Sequence, residues 1–206
     1  MAFHLVDHPV LHDRITRIRS VDTDTAAFRT ALHDASRLLC FEATRELETL
    51  EVTVTTPLCE TRGRRLARPV VLVPILRAGI GLLRGFTEVF GEAAIGTIGL
   101  RRNEETHLPE HYHFRVPSGL GEAEVIVTDP MLATGGSAVD AVAQLKREGA
   151  TRIRFVCLIA APEGLANFTS RHPDVAVYAG ALDACLNDDA YIFPGLGDAG
   201  DRYFGT

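Results

Sequence analysis

Apolar positions along this chain follow a helical rhythm in some stretches and a strand rhythm in others. Between residues 22 and 49 the rhythm is helical. Phe28, Ala31, Leu32, Ala35, Leu38 and Leu39 recur three and four apart behind the cap-rich "SVDTDT". "EVTVT" at 51–55 alternates as a strand does. "PVVLVPI" at 69–75 is a continuous apolar run, the pattern of a strand covered on both faces. "RAGIGLLRGFTEVFG" then reads as a helix with a glycine-rich start and Gly91 near its stop, and "AAIGTIGL" and "HYHFRVP" read as further strands. From residue 124 the alternation is regular. "EVIVTD" is a buried strand. "GSAVDAVAQLKREGA" is a helix with Ala138, Val139, Ala141, Val142 and Leu145 on one face and Gly149 as its stop. "IRFVCLIAA" is the next strand, "PEGLANFTSRHP" a short helix and "VAVYAGAL" another strand. Such alternation predicts an α/β fold, a mainly parallel central sheet flanked by helices, with ligands at the carboxyl ends of the strands. No repeat, linker or low-complexity stretch divides residues 1–206, so one domain is expected.

Composition narrows the possible partners. The chain has 206 residues, 46% hydrophobic and 23% charged, enough to bury a core without crosslinks. A net charge of −6 argues against a general nucleic-acid surface but leaves room for a local anion pocket. Cys40, Cys59, Cys157 and Cys185 form no CxxC pair, so neither a zinc knuckle nor a redox motif is signalled. "MAFHLVDHPV" lacks the basic and apolar regions of a signal peptide, and no stretch approaches the ~20 apolar residues of a membrane span. A reduced cytoplasm and no membrane partner are the expectation.

The chemistry concentrates in "VIVTDPMLATGGSAVDAV", residues 125–142. A buried strand ends at Asp129, a short loop follows, and a helix starts near Ser137. Thr134, Gly135, Gly136 and Ser137 lie at that handover. Glycine backbone can fold close around an anion, and the free N–H groups of a helix start favour a phosphate. No lysine follows the glycines, so this is not a Walker loop. Asp129 suits a sugar diol. The same residues also suit a glycine-rich connection with a serine cap, but the coincidence of acid, loop and helix start favours the anion. His4, His8 and His12, with Pro9 interrupting, and His107, His111 and His113 lack accompanying acids or cysteines and read as surface histidines.

This stretch resembles the PRPP motif (PRPP is 5-phospho-α-D-ribose 1-diphosphate) of type I phosphoribosyltransferases. "DPMLATGGSA", with Pro130 where most members carry a second acid, resembles the form found in uracil phosphoribosyltransferases. "PILRAG" at 74–79, "CLIAAPEG" at 157–164, "HPDV" at 172–175 and "PGLGDAGDR" at 194–202 are similar to that family in order and spacing, as are "HPVLHDRITRIR" and "EATRELE". The resemblance implies the type I phosphoribosyltransferase fold with a C-terminal base-binding hood, and conversion of uracil and PRPP to UMP and diphosphate. It assigns Asp129, Pro130, Met131, Leu132, Ala133, Thr134, Gly135, Gly136 and Ser137 to PRPP, Asp129 on the ribose hydroxyls and 133–137 on the 5-phosphate. Arg77 and Arg102 would face the diphosphate, and Asp198 would touch PRPP as well as the base. Ile192, Gly197, Asp198 and Ala199 would hold uracil, largely through backbone groups that a flat ring can approach. Asp201 receives no firm role; orienting the loop or holding an arginine are both open. Mg²⁺ is implied as a cofactor that arrives with PRPP, without a dedicated protein site.

The stretch "GLRRNEETHLPEHYHF" departs from the family. Arg101 stands where an aromatic is usual, Asn103 where an aspartate is usual, and "HYHF" where a tyrosine-rich run is usual. The choice between Arg101 and Arg102 at the diphosphate therefore stays open. The family is oligomeric, so a homodimer or higher homo-oligomer is expected; some members respond to GTP, which the resemblance leaves open here. "GLGDAGDR" and Pro130 oppose a purine, orotate or xanthine enzyme. The acidic charge opposes an RNA-binding regulator. The intact Asp129, Arg77 and TGGS set opposes a non-catalytic nucleotide sensor.

Overall fold

A computed structural model describes residues 3–102 and 109–206, with side chains except at 101–102 and 109–111. The chain opens with a short strand, β1 (Phe3–Leu5), and a helix, α1 (Pro9–Arg19). The apolar pattern does not predict a helix over this stretch, and in the sequence Pro9 reads as an interruption. In fact Pro9 occupies the first helical turn, where its missing N–H costs nothing. His8 is the N-cap, its Nδ1 accepting from the Val10 N–H at 3.2 Å, and Leu11, Ile15 and Ile18 form the buried stripe. Helix α2 (Thr25–Ala43) starts at Asp24, whose carboxylate accepts from the Ala27 N–H at 2.8 Å. It buries Phe28, Ala31, Leu32, Ala35 and Leu39 as the periodicity predicts. It stops short of residue 49 because Thr44 turns its hydroxyl back onto the Cys40 carbonyl at 2.7 Å and the chain leaves for a strand.

That strand, β2 (Thr49–Thr55), pairs with β3 (Glu60–Leu66) in a separate antiparallel ribbon that is exposed along almost its whole length. The main sheet begins with β4 (Val70–Leu76), buried on both faces as expected. A turn at 77–79 leads into α3 (Ile80–Val89), which is shorter than the predicted helix. There follow β5 (Ala94–Ile95), β6 (Thr97–Arg102), β7 (Pro109–Arg115), β8 (Glu124–Thr128), β9 (Met131–Leu132) and α4 (Gly136–Arg147). Then come β10 (Ile153–Ala160), α5 (Pro162–Arg171), β11 (Ala176–Leu182), β12 (Cys185–Leu186), β13 (Ile192–Phe193) and α6 (Ala199–Phe204).

The sheet order is β1-β11-β10-β8-β4-β6-β7, parallel except for the antiparallel β6–β7 pair. One apolar cluster packs α1, α2 and α3 against one face of the sheet, and a second packs α4 and α5 against the other. Cys157 is buried in the second cluster, and burial raises its thiol above its usual range. This doubly covered parallel sheet is the architecture the alternating pattern implied.

Candidate active site

The carboxyl ends of β4, β8, β10 and β11 lie side by side, and the first three run directly into segments that the sequence singled out. Strand β8 ends at Thr128, so Asp129 stands just beyond it, as expected. The carboxylate is partly buried, and desolvation pushes it up to about 7, while the Met131 N–H donates to it and pulls the other way. Pro130 has no N–H to place, but its carbonyl accepts from both Leu158 and Ile159 N–H at 3.0 and 3.1 Å. The loop is thereby laid along β10, where Met131 and Leu132 pair as β9.

The loop next turns into α4. Its N-cap is Gly135, at φ +79°, and the helix starts at Gly136, one residue before the expected start. No acid lies in the first turn, so no carboxylate of the helix itself offsets the partial positive charge of its start. Thr134 Oγ1 accepts from the Gly136 N–H at 3.4 Å. Helix α5 supports the loop from behind, which the sequence did not reveal. Asn167 Nδ2 donates to the Thr134 carbonyl at 2.8 Å. A Cβ on Gly164 would lie 2.1 Å from the Ala133 carbonyl oxygen, so only glycine permits this approach. The signal available beforehand was the "PEGLAN" start of a helix next to the site, which periodicity alone does not distinguish.

Arg77 lies in the turn after β4, and the peptide between Leu76 and Arg77 is cis. Thr128 Oγ1 donates to the Gly79 carbonyl at 3.4 Å and joins this turn to the end of β8. The Arg77 side chain is 62% exposed. Its guanidinium sits 5.4 Å over the Phe204 ring, and Nη2 is 3.8 Å from Asp201 Oδ1. Asp201, left without a firm role by the sequence, is therefore paired with Arg77. Arg102 ends β6, and its backbone pairs with Pro109; its side chain, like those of Arg101 and His111, lies outside the described side chains. Asn103 and His107 lie outside the described residues. His113 Nε2 is 2.8 Å from Thr97 Oγ1, and among the described residues no group of three metal-ligating side chains assembles.

The C-terminal segment closes the other side. After β11, the hairpin β12–β13 is tied to α5 by the Leu186 N–H, which donates to Glu163 Oε1 at 3.0 Å. The Phe193–Pro194 bond is cis, and Gly195 sits at φ +64° with its Cα so close to Ile192 that a Cβ would lie 2.0 Å from the Ile192 carbonyl oxygen. Ile192 and Ala199 are buried, whereas Gly197 and Asp198 are exposed. Asp198 caps α6, accepting from the Asp201 N–H at 2.8 Å. The start of α6 packs beside the Arg77 turn, with a Cβ on Gly200 falling 3.9 Å from that of Ala78.

Sequence reasoning missed what holds this segment in place. Asp183, just past β11 and 8% exposed, accepts from the Gly195 N–H at 2.9 Å and is paired with Arg19 from the end of α1. Arg202 reaches back to the carbonyls of Ile18, Ser20 and Thr23 and lies 4.7 Å over the Phe28 ring. Arg29 donates to the Tyr203 carbonyl at 2.7 Å. These partners are up to 184 residues apart in the chain, beyond the reach of any local pattern.

A model of the family described as uracil phosphoribosyltransferase matches residues 5–206. A uracil phosphoribosyltransferase of Levilactobacillus brevis is 46% identical over 205 residues, covering 99% of this chain and 98% of that protein. One of Wolinella succinogenes is 47% identical over 207 residues, covering both chains completely. Among solved structures, a protein from Aquifex aeolicus superposes with a TM-score of 0.94 at 35% identity, covering 99% of this chain and 98% of that one. A hypoxanthine phosphoribosyltransferase from Staphylococcus aureus, 14% identical over 77% of this chain and 76% of its own, shares the fold with a TM-score of 0.53.

Proposed function

The chain belongs to the uracil phosphoribosyltransferase family, and from that premise we propose how its own residues carry the reaction. The enzyme joins uracil to the ribose of PRPP, giving UMP and diphosphate, a step of pyrimidine salvage. The N1–C1 bond forms, the C1–O bond breaks with its electron pair leaving on diphosphate, and the N1 proton is released to solvent. The transition state has oxocarbenium character.

The assignment rests on one observation: Asp129, the anion-ready start of α4, Arg77 and the C-terminal loop converge on one edge of a parallel sheet. In this reading residues 133–137 hold the 5-phosphate through N–H groups at the helix start, with the hydroxyls of Thr134 and Ser137. Asp129 accepts from the ribose hydroxyls, and residues 130–132 line its approach. Arg77 and Arg102 stabilise charge on the departing diphosphate. Backbone groups of Ile192, Gly197 and Ala199 and the carboxylate of Asp198 face the base. Donors on O2 and O4 favour the N1 anion without a dedicated general base. Cytosine would present an amino donor and a bare N3 to the same groups, leaving them unpaired.

Mg²⁺ is commonly held by one or two carboxylates plus substrate phosphates. Asp129 at the end of β8 and the exposed Asp198 would supply carboxylates of that kind beside bound PRPP. When bound with PRPP, the ion supplies neutralisation of the diphosphate charge.

The family match over 5–206 supports a single catalytic domain across residues 1–206. The exposed β2–β3 ribbon supports a homodimer or higher homo-oligomer, because a two-stranded ribbon is marginal alone. The family's salvage role supports work in the cytoplasm; among the described residues no helix is long and apolar enough to cross a membrane. Purified protein with uracil, PRPP and Mg²⁺ is expected to make UMP, while hypoxanthine, orotate and cytosine stay unused. A folded protein that makes no UMP overturns the assignment. Repeating the assay with GTP reads whether that nucleotide is an effector.

A further inference from the structure

Two consecutive carbonyls in the C-terminal loop are held by two different arginines. Arg19 Nη1 donates to the Gly195 carbonyl at 2.7 Å, and Arg202 Nη1 donates to the Leu196 carbonyl at 3.0 Å. Neither guanidinium is left free to swing. Arg19 is fixed by the buried Asp183, with Nη1 on Oδ2 at 2.8 Å and Nη2 on Oδ1, and Asp183 also takes the Gly195 N–H. Both polar groups of Gly195 are thus occupied by one ion pair. Arg202 is fixed by the carbonyls of Ile18 and Ser20, the latter at 2.7 Å, and by the face of Phe28. Both clamps bear on the same place, the C-terminal end of α1, where Arg19 is the last residue and Ser20 the C-cap.

Peptide planarity gives this arrangement a direction. In a trans peptide the C=O and the following N–H point opposite ways. Fixing the Leu196 carbonyl on Arg202 therefore turns the Gly197 N–H away from α1. Leu196 is buried and Gly197 exposed, so that N–H points out of the protein body; among the described residues it has no acceptor. We propose that Arg19 and Arg202 are positioning residues for base recognition: together they lock the Gly195–Leu196–Gly197 backbone so that the Gly197 N–H is presented to a pyrimidine carbonyl. This rests on the assignment of uracil as substrate. It goes further by placing the determinants of base affinity on α1 and α6, away from the ring itself. A flexible glycine-rich loop would otherwise lose ordering entropy on each binding event, and a preformed one does not.

Steady-state kinetics of Arg19→Met and Arg202→Met, with uracil and PRPP varied separately, test it. Losing one charge-assisted hydrogen bond on the loop is expected to raise the uracil KM about tenfold, equivalent to ~1.4 kcal/mol. The PRPP KM should stay within about twofold, because the α4 loop and Asp129 are untouched. Asp183→Asn, which keeps the shape but loosens Arg19, should raise the uracil KM in the same selective way. A clamp that only stabilises the fold would lower the thermal midpoint and leave both KM values of the folded fraction unchanged; that result overturns the proposal, as does an equal rise in both. If a methionine variant does not fold, Arg19→Lys and Arg202→Lys, which keep the charge but lose the fork, replace it with the same criteria. Wild-type protein without UMP synthesis would instead overturn the underlying assignment, so the two failures are distinct.

Discussion

Asp129 combines two demands that oppose each other. Burial lifts its carboxyl from 3.8 to about 7, so near neutrality it hovers between acid and anion. In the proposed role it is the anion that binds a ribose diol, accepting from both hydroxyls. The kcat/KM for PRPP is therefore expected to climb between pH 6 and pH 8 with a midpoint about 7, and Asp129→Asn should lose that limb together with about a hundredfold of activity, ~3 kcal/mol. Stability runs the other way. The folded chain holds a proton that the unfolded chain gives up between about 4 and about 7, so stability falls as pH rises across that window. Asp129→Asn should thus melt above wild type at pH 8 and no higher at pH 4; equal midpoints at pH 8 would contradict desolvation of the anion. The proposed role of Arg102 concerns the other substrate charge, the diphosphate. Arg102→Ala is expected to lower kcat by about a hundredfold, far more than it raises the uracil KM, as loss of a leaving-group donor does. An unchanged kcat removes it from that role and points to Arg101.

At the scale of elements, the loop between β8 and α4 is shaped as much by α5 as by the strand and helix it connects. The Asn167 amide holds the Thr134 carbonyl, and Gly164 lets the Ala133 backbone pass within contact of α5. Asn167→Ala removes one hydrogen bond of ~1 kcal/mol and should raise the PRPP KM about fivefold with the uracil KM unchanged. A rise in the uracil KM instead would show α5 acting through its other tie, Glu163 to the Leu186 N–H. This division explains what could be read in advance. The strand–acid–loop–helix succession from Glu124 to Arg147 is local, and the pattern located it to within a residue. The backing from α5 is a tertiary contact across 33 residues, and nothing in the periodicity of "PEGLANF" sets it apart. Helix α1 failed to register for a different reason. Its stripe of Leu11, Ile15 and Ile18 is sparse, and a proline at the first turn looks like a break when it is a start.

Across the whole molecule the two ends of the chain are one structural unit. Arg202 hydrogen-bonds the α1–α2 connection, Arg29 of α2 bonds the Tyr203 carbonyl, and Tyr203 packs against the α1–α2–α3 core. Deleting residues 194–206 should therefore abolish uracil use and also lower the thermal midpoint, by several degrees for a loss of ~2 kcal/mol in a chain of this size. A frayed tail would change neither. The sequence by itself determined the sheet-and-helix alternation, the position of Asp129 and the helix start beside it, and the likeness to the family, because these depend on neighbours within a few residues. Tertiary structure alone decided that Asp201 meets Arg77, that Asp183 and Arg19 seize Gly195, and that Arg202 fixes Leu196. Those pairings join residues brought together only when the parallel sheet stacks its carboxyl ends on one edge. The order of strands in that sheet is set by long-range burial rather than by any local rhythm of apolar and polar positions.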